Sequence, residues 1–108
     1  NFIRPSMAIA HGEDNKVYDS VLIAQTADIL LTMKDVSASF VIAHRADGLI
    51  GISARSLGEI NVQLVMEKLG GGGHLTNAAT QVAAQSIEDV KIQLKNAITE
   101  VMEGSNEG

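Results

Sequence analysis

The sequence predicts an α/β fold of the α+β kind, a mixed sheet of about four to five strands with helices packed on it, in the order β-α-β-β-α-β-α. Three observations carry that expectation. Asp47-Gly48 separates two runs of β-like composition, residues 38–45 and 49–55, and this dipeptide between such runs signals an antiparallel hairpin. Ile87, Val90, Leu94, Ala97, Ile98 and Val101 recur at the spacing of one helical face. The remaining strand-like and helix-like segments are interleaved along the chain rather than grouped by type.

Taken in order, residues 1–6 hold the only proline and read as an interdomain linker. The apolar run at residues 7–10 suits a buried strand, and residues 12–16 break it as a polar loop. Asp19 caps a helix whose apolar positions Ile23, Ala27, Leu30 and Leu31 share a face, with an end expected near Lys34. After the hairpin, Val62, Val65, Met66 and Leu69 mark a short helix capped by Asn61, with Ile60 placed to staple against Val65. Gly70 stops it. Residues 77–84 read as another strand, weakened by its alanines. Ser86-Ile87-Glu88-Asp89 approximates a capping box for the last helix, expected to reach about Met102. The domain thus covers residues 7–103, and residues 104–108 read as a disordered tail.

Composition narrows the function. A chain of 108 residues makes one compact domain, and 45% apolar content with only 3% aromatics implies a core of Val, Ile, Leu, Met and Ala. A formal charge of −5 argues against broad binding to long nucleic acid but leaves room for a small anion at one local site. Without cysteine there are no disulfides or thiolate metal sites, so a reducing compartment, by default the cytoplasm, is expected. No apolar run approaches the about 20 residues of a membrane span and no signal peptide is visible, so the chain is expected to be soluble.

The segment richest in chemical meaning is Gly70-Gly71-Gly72-Gly73-His74, set between a helix and a strand. Consecutive glycines let backbone N–H groups converge on a phosphate, with His74 as an adjacent donor; the alternative is a helix C-cap followed by a passive turn. Arg55-Ser56 closes the second hairpin strand ahead of the Asn61 helix, where a guanidinium, a hydroxyl and helix amides suit an anion. A solvated edge arginine is the plainer alternative. Both candidate ends belong to one ligand only if Arg55 and His74 lie on the same face. His11 and His44 have no second ligand at metal spacing and are read as structural or surface residues. No His-x-x-x-His helix or carboxylate cluster appears, and His74 has no identifiable orienting acid, so neither a metal centre nor a nucleophilic triad is expected in this chain. Glu13, Asp14, Glu100, Glu103 and Glu107 read as solubility charges.

Gly71-Gly72-Gly73-His74 followed by Leu75-Thr76-Asn77-Ala78-Ala79 is similar to the signature of the DHH-associated domain of DHH phosphoesterases. Together with residues 53–63, the chain resembles the membrane-anchored bacterial cyclic-di-AMP phosphodiesterases over residues 7–102. Thr80 departs from the glycine that often follows the paired alanines in the wider family. The resemblance implies that a separate DHH domain of the same polypeptide holds two manganese ions and converts cyclic-di-AMP to pApA, while this domain grips the substrate and is inactive alone. It implies no cofactor and no catalytic residue in this chain, and a parent on the cytoplasmic side of the membrane. Carried over by motif, Gly71, Gly72, Gly73 and His74 contact a phosphate or ribose, Arg55 with Ser56 neutralises another phosphate, and Asn61 is a lesser candidate. Two further readings compete. One is the substrate-binding domain of a DHH-type oligoribonuclease or pApA phosphatase acting on linear ligands. The other is a homodimerisation module without nucleotide binding, using a sheet edge or the helix at residues 62–69.

Overall fold

The structure, a computed structural model, describes the backbone of residues 6–107 and the side chains through Gly104. Eight elements follow one another: β1 (Met7–His11), α1 (Ser20–Leu31), β2 (Ala38–His44), β3 (Ile50–Ser56), α2 (Val62–Lys68), β4 (Gly72–His74), β5 (Asn77–Val82) and α3 (Ile87–Glu107). The strands form one sheet in the order β1-β2-β3-β5-β4. Only β1 and β2 are parallel, joined through α1; the other neighbours are antiparallel. The α+β expectation holds, with β4 added to the expected order.

Alternation along β2 divides the core in two. Phe40 and Ile42 point to one face and join Ile50, Ile52, Val62, Val65, Met66, Val90 and Leu94 beneath α2 and α3. Val41 and Ala43 point to the other face and meet Ile23 and Ala27 of α1. Burial on both faces explains why β2 and β3 are nearly continuously buried and carry small or apolar residues at most positions. On β5 the burial alternates residue by residue. The layer made by α1 therefore stops at β3, and one face of β5 and β4 stays open.

Local signals act as the sequence indicates. Asp19 Oδ1 accepts from Val21 N at 2.7 Å, Asn61 Oδ1 from Leu64 N at 3.2 Å, and Ser86 Oγ from Asp89 N at 3.2 Å. Ile60 and Val65 are both buried in the larger core. In the hairpin, Gly48 N donates to Arg45 O at 3.2 Å, Gly48 takes φ +86°, and Asp47 Oδ1 accepts from Leu49 N at 3.1 Å. After α2, Gly70 N donates to Glu67 O and Gly71 N to Met66 O, the paired bonds of a Schellman cap around Gly70 at φ +88°.

Several boundaries differ from expectation. The first helix stops at Leu31, short of Lys34, because Thr32 turns its N–H and hydroxyl back to Ile29 O. The strand expected to reach Ala84 ends at Val82. The last helix continues past Met102 through Gly104 to Glu107, where a frayed tail was expected. The expected linker lies outside the described residues except for Ser6, whose N–H donates to Ser37 Oγ at 3.3 Å. Among the described residues no helix is long and apolar enough to cross a membrane.

Asp14 also departs from its reading as a solubility charge. Its Oδ1 accepts from His44 Nε2 at 2.8 Å and from Ile87 N at 3.1 Å, tying the loop after β1 to the end of β2 and the first turn of α3. The hydrogen bond from His44, seconded by that from Ile87, holds its carboxyl below the ordinary aspartate value. A depressed carboxylate stabilises the fold above its unfolded-state value and loses that contribution as pH falls through the folded one. Thermal unfolding from neutral to acid pH tests this: Asp14→Asn lowers the midpoint at neutral pH, and its curve converges on the wild-type curve at the acid end.

Candidate functional site

The open half of the sheet forms a cleft beside α1. Its volume is about 260 Å³, with Ile23 and Ala24 as one wall, Gly51, Ser53 and Ala79 as floor, and Arg55 and Asn77 at one end. Arg45 stands at the other end, its stem lying over Gly51. A closed small-molecule pocket encloses about 300–1,000 Å³, so this is a shelf that a second wall would complete.

Strand register decides which candidates meet. Arg55 pairs with Asn77, and Asn77 pairs with His74. Directly opposed residues project to the same face, so Arg55, Asn77 and His74 form one row across β3, β5 and β4, with the outer Cα atoms about 10 Å apart. The strand ends are held there by the backbone: Thr76 O accepts from Ser56 N and Leu75 O from Val62 N, both at 3.0 Å. The condition that Arg55 and His74 share a face is met.

Arg55 is held from two sides. Its Nε donates to Asp28 Oδ1 of α1 at 2.7 Å and its Nη1 to Ala54 O at 2.9 Å. The side chain is 13% exposed, and Nη2 has no partner among the described residues. His74 is exposed, and its ring takes no hydrogen bond among the described residues. The row therefore carries an anchored cation and an amide at the cleft, Arg55 and Asn77, and an exposed imidazole beyond them on the edge strand, His74. Asn77 between them was not singled out from the sequence, because its place depends on a pairing that composition does not encode.

The other candidates are placed differently. Ser56 pairs with Ala38, which turns its side chain to the face opposite Arg55; it is buried, with Oγ accepting from Gly58 N at 2.9 Å. Asn61 is committed to the first turn of α2 and Val62 N to Leu75 O, and no residue of α2 lines the cleft. The glycines do not gather their amides around one point: Gly70 and Gly71 close α2, and Gly72 and Gly73 enter β4. Their roles separate sharply. A Cβ on Gly71 would fall 2.2 Å from Ala79 O, and one on Gly73, at φ +145°, 2.5 Å from Asn77 O. Gly72 pairs with Ala79 and faces the cleft with open space above it.

A family model described as the DHHA1 domain matches residues 6–103, nearly the whole chain. The chain belongs to the DHHA1 domain family. This DHHA1 domain is 59% identical over 98 residues to the cyclic-di-AMP phosphodiesterase GdpP of Geobacillus thermodenitrificans, covering 91% of the chain and 15% of that protein. It is 56% identical over 98 residues to the cyclic-di-AMP phosphodiesterase PdeA of Listeria monocytogenes, with the same 91% and 15% coverage. Among solved structures it is similar to an exopolyphosphatase-related protein from Bacteroides fragilis, with a TM-score of 0.60 and 27% identity over 68% of this chain and 22% of that one. The DHHA1 domain thus spans about 15% of the length of these curated relatives.

Among the described residues of the DHHA1 domain, no three His, Cys, Asp or Glu side chains come together to hold a metal ion.

The glycine geometry yields a test by chemical denaturation. Gly71→Ala and Gly73→Ala each destabilise the fold by about 2 kcal/mol or more, because the clash is with backbone and Gly73 adds an unfavourable φ. Gly72→Ala changes stability by less than about 1 kcal/mol.

Proposed function

We propose that this chain is the substrate-binding domain of a cyclic-di-AMP phosphodiesterase, gripping the nucleotide in the cleft beside α1. The observation that carries the proposal is the row Arg55–Asn77–His74 on the uncovered face of the sheet. The names of the closely similar relatives supply the substrate class.

Each residue has a physical role in this reading. Arg55, its guanidinium oriented by Asp28 and Ala54 O, donates through Nη2 to a phosphate oxygen. His74, one row-length away, meets a second phosphate or a ribose hydroxyl of the same ligand. Asn77 bridges them with an amide able to donate and accept. Gly72, Ala79 and Ser53 have little or no side chain, so a flat ribose or base can approach the sheet. What the domain contributes to the reaction is orientation and charge neutralisation. Hydrolysis belongs to a DHH domain of the same polypeptide, with manganese held there, and that domain supplies the missing wall.

The dimerisation reading has less support. The helix at residues 62–69 spends Val62, Val65 and Met66 on the core, leaving Leu64 as its exposed large apolar residue.

NMR titration of the domain with cyclic-di-AMP and with pApA tests the proposal. Amide shifts are expected to centre on Arg55, Gly72, His74 and Asn77. Arg55→Ala is expected to weaken binding about tenfold or more, the scale of a lost hydrogen bond to a charged group, with the spectrum otherwise intact. His74→Ala weakens it in the same direction. Immobile amides along the row at millimolar ligand would remove this domain from substrate binding, and tighter binding of pApA would favour the linear-substrate reading.

A further inference from the structure

Asp28 lies within α1, 27 residues in sequence from Arg55, and its carboxylate is 61% exposed. An exposed carboxylate beside a cation meant for phosphate is at first sight counterproductive, since it neutralises the charge the ligand needs. Its geometry suggests a use for that cost.

We propose that Asp28 tunes the Arg55 pole toward singly charged phosphodiesters and against doubly charged terminal phosphates, an inference that rests on Arg55 receiving the nucleotide phosphate. A terminal phosphate is gripped best when two parallel N–H groups of the guanidinium face two of its oxygens. At Arg55 the Nε/Nη2 fork is unavailable, because Nε already donates to Asp28 at 2.7 Å. Of the five guanidinium N–H groups, that on Nε and one on Nη1 are spent, the latter on Ala54 O at 2.9 Å, so a ligand meets only the end-on edge of Nη1 and Nη2.

Charge acts in the same direction. With Asp28 in contact, the pole is near neutral overall, so a ligand gains directed hydrogen bonds but little net Coulomb attraction. A diester carries one negative charge into the field of Asp28, whereas a monoester near neutral pH carries about −1.5 to −2. Each ligand charge feels Arg55 and Asp28 together, so Asp28 cancels about twice as much attraction for the monoester as for the diester. The other ionisable groups of the cleft do not reverse this. Arg45 sits at the far end with its guanidinium paired to Asp47 at 3.0 Å, and His74 lies at the opposite end of the row. For an enzyme that opens a cyclic diester to a linear product with a terminal phosphate, such a pole holds the substrate and lets the product go.

The test compares adenosine 5′-monophosphate with its 5′-monomethyl ester, which differ by one methyl group and one charge. Both are titrated by NMR at about pH 8, well above the second phosphate ionisation. The variants are Asp28→Asn, which keeps shape and removes charge, Asp28→Glu, which keeps charge, and Arg55→Ala. In the wild type the two ligands bind within about a few-fold of each other, because the near-neutral pole gives the extra charge little advantage. Asp28→Asn is expected to tighten the monophosphate about three- to tenfold while changing the methyl ester by less than about twofold, and Asp28→Glu to keep the wild-type preference. Equal changes for both ligands in Asp28→Asn would overturn the inference and leave Asp28 as an anchor between α1 and β3. If neither ligand moves the row in the wild type, or Arg55→Ala binds both as well as the wild type, the phosphate-binding reading of Arg55 itself is overturned and this inference with it.

Discussion

The approach of β4 to β5 is closer than any side chain at Gly71 or Gly73 would permit. The ideal Cβ positions at these residues fall 2.2 Å and 2.5 Å from carbonyl oxygens of β5, inside any real contact distance. Only glycine lets the chain leave α2, close the helix with backbone bonds and immediately pair as an edge strand. That pairing brings His74 opposite Asn77 and therefore into line with Arg55. The glycine run, which from sequence suggested a phosphate-cradling loop, acts mainly by removing bulk between two strands. Of the β4 glycines, Gly72 alone has open space on the uncovered face of the sheet.

A second determinant is the reach of α1. The helix is fastened to the sheet by Ile23 and Ala27 and by the hydrogen bond from Ser39 Oγ to Ala27 O at 2.7 Å, all directed at β2 and β3. Because the layer ends there, β5 keeps one face open and a cleft runs along the edge of the helix. On the opposite face α2 and α3 share one continuous core with the sheet. The row thus has a packed core beneath it and an open face above it. Val21, Leu22, Ile29 and Met33 are exposed on and just after α1, so the helix carries apolar surface on its outer side as well.

Electrostatics in this acidic chain are local. Lys16, Arg45, Arg55 and Lys68 each pair with a carboxylate, and the formal charge is −5. A net charge of −5 does not steer an anion in from a distance. Attraction has to come from donors placed at short range, which makes the orientation of one arginine matter more than the sum of charges. A cleft walled on one side suits the same logic, because closure by a second domain would exclude water and strengthen each such contact.

The sequence by itself determined what is local. Asp47-Gly48 set the hairpin, Asp19, Asn61 and Ser86 set helix starts, and Gly70 set a helix stop, because caps and turns depend on neighbouring backbone and on φ preference. The stripe of α3 followed from periodicity, β2 and β3 from β-like composition on either side of Asp47-Gly48, and the family resemblance from the Gly-Gly-Gly-His motif with its flanking residues. Tertiary structure decided the rest. A three-residue strand made mostly of glycine has no propensity to announce it, so β4 was invisible until its partner was known. Adjacent residues in a strand point oppositely, so Arg55 faces the cleft while Ser56, its neighbour and fellow candidate, is buried on the other side. Asn77 and Asp28 joined the site through contacts across the sheet and from a helix well separated in sequence, and Asp14 became a clip between three segments for the same reason. Contacts of that kind depend on register and packing, which no short window of sequence contains.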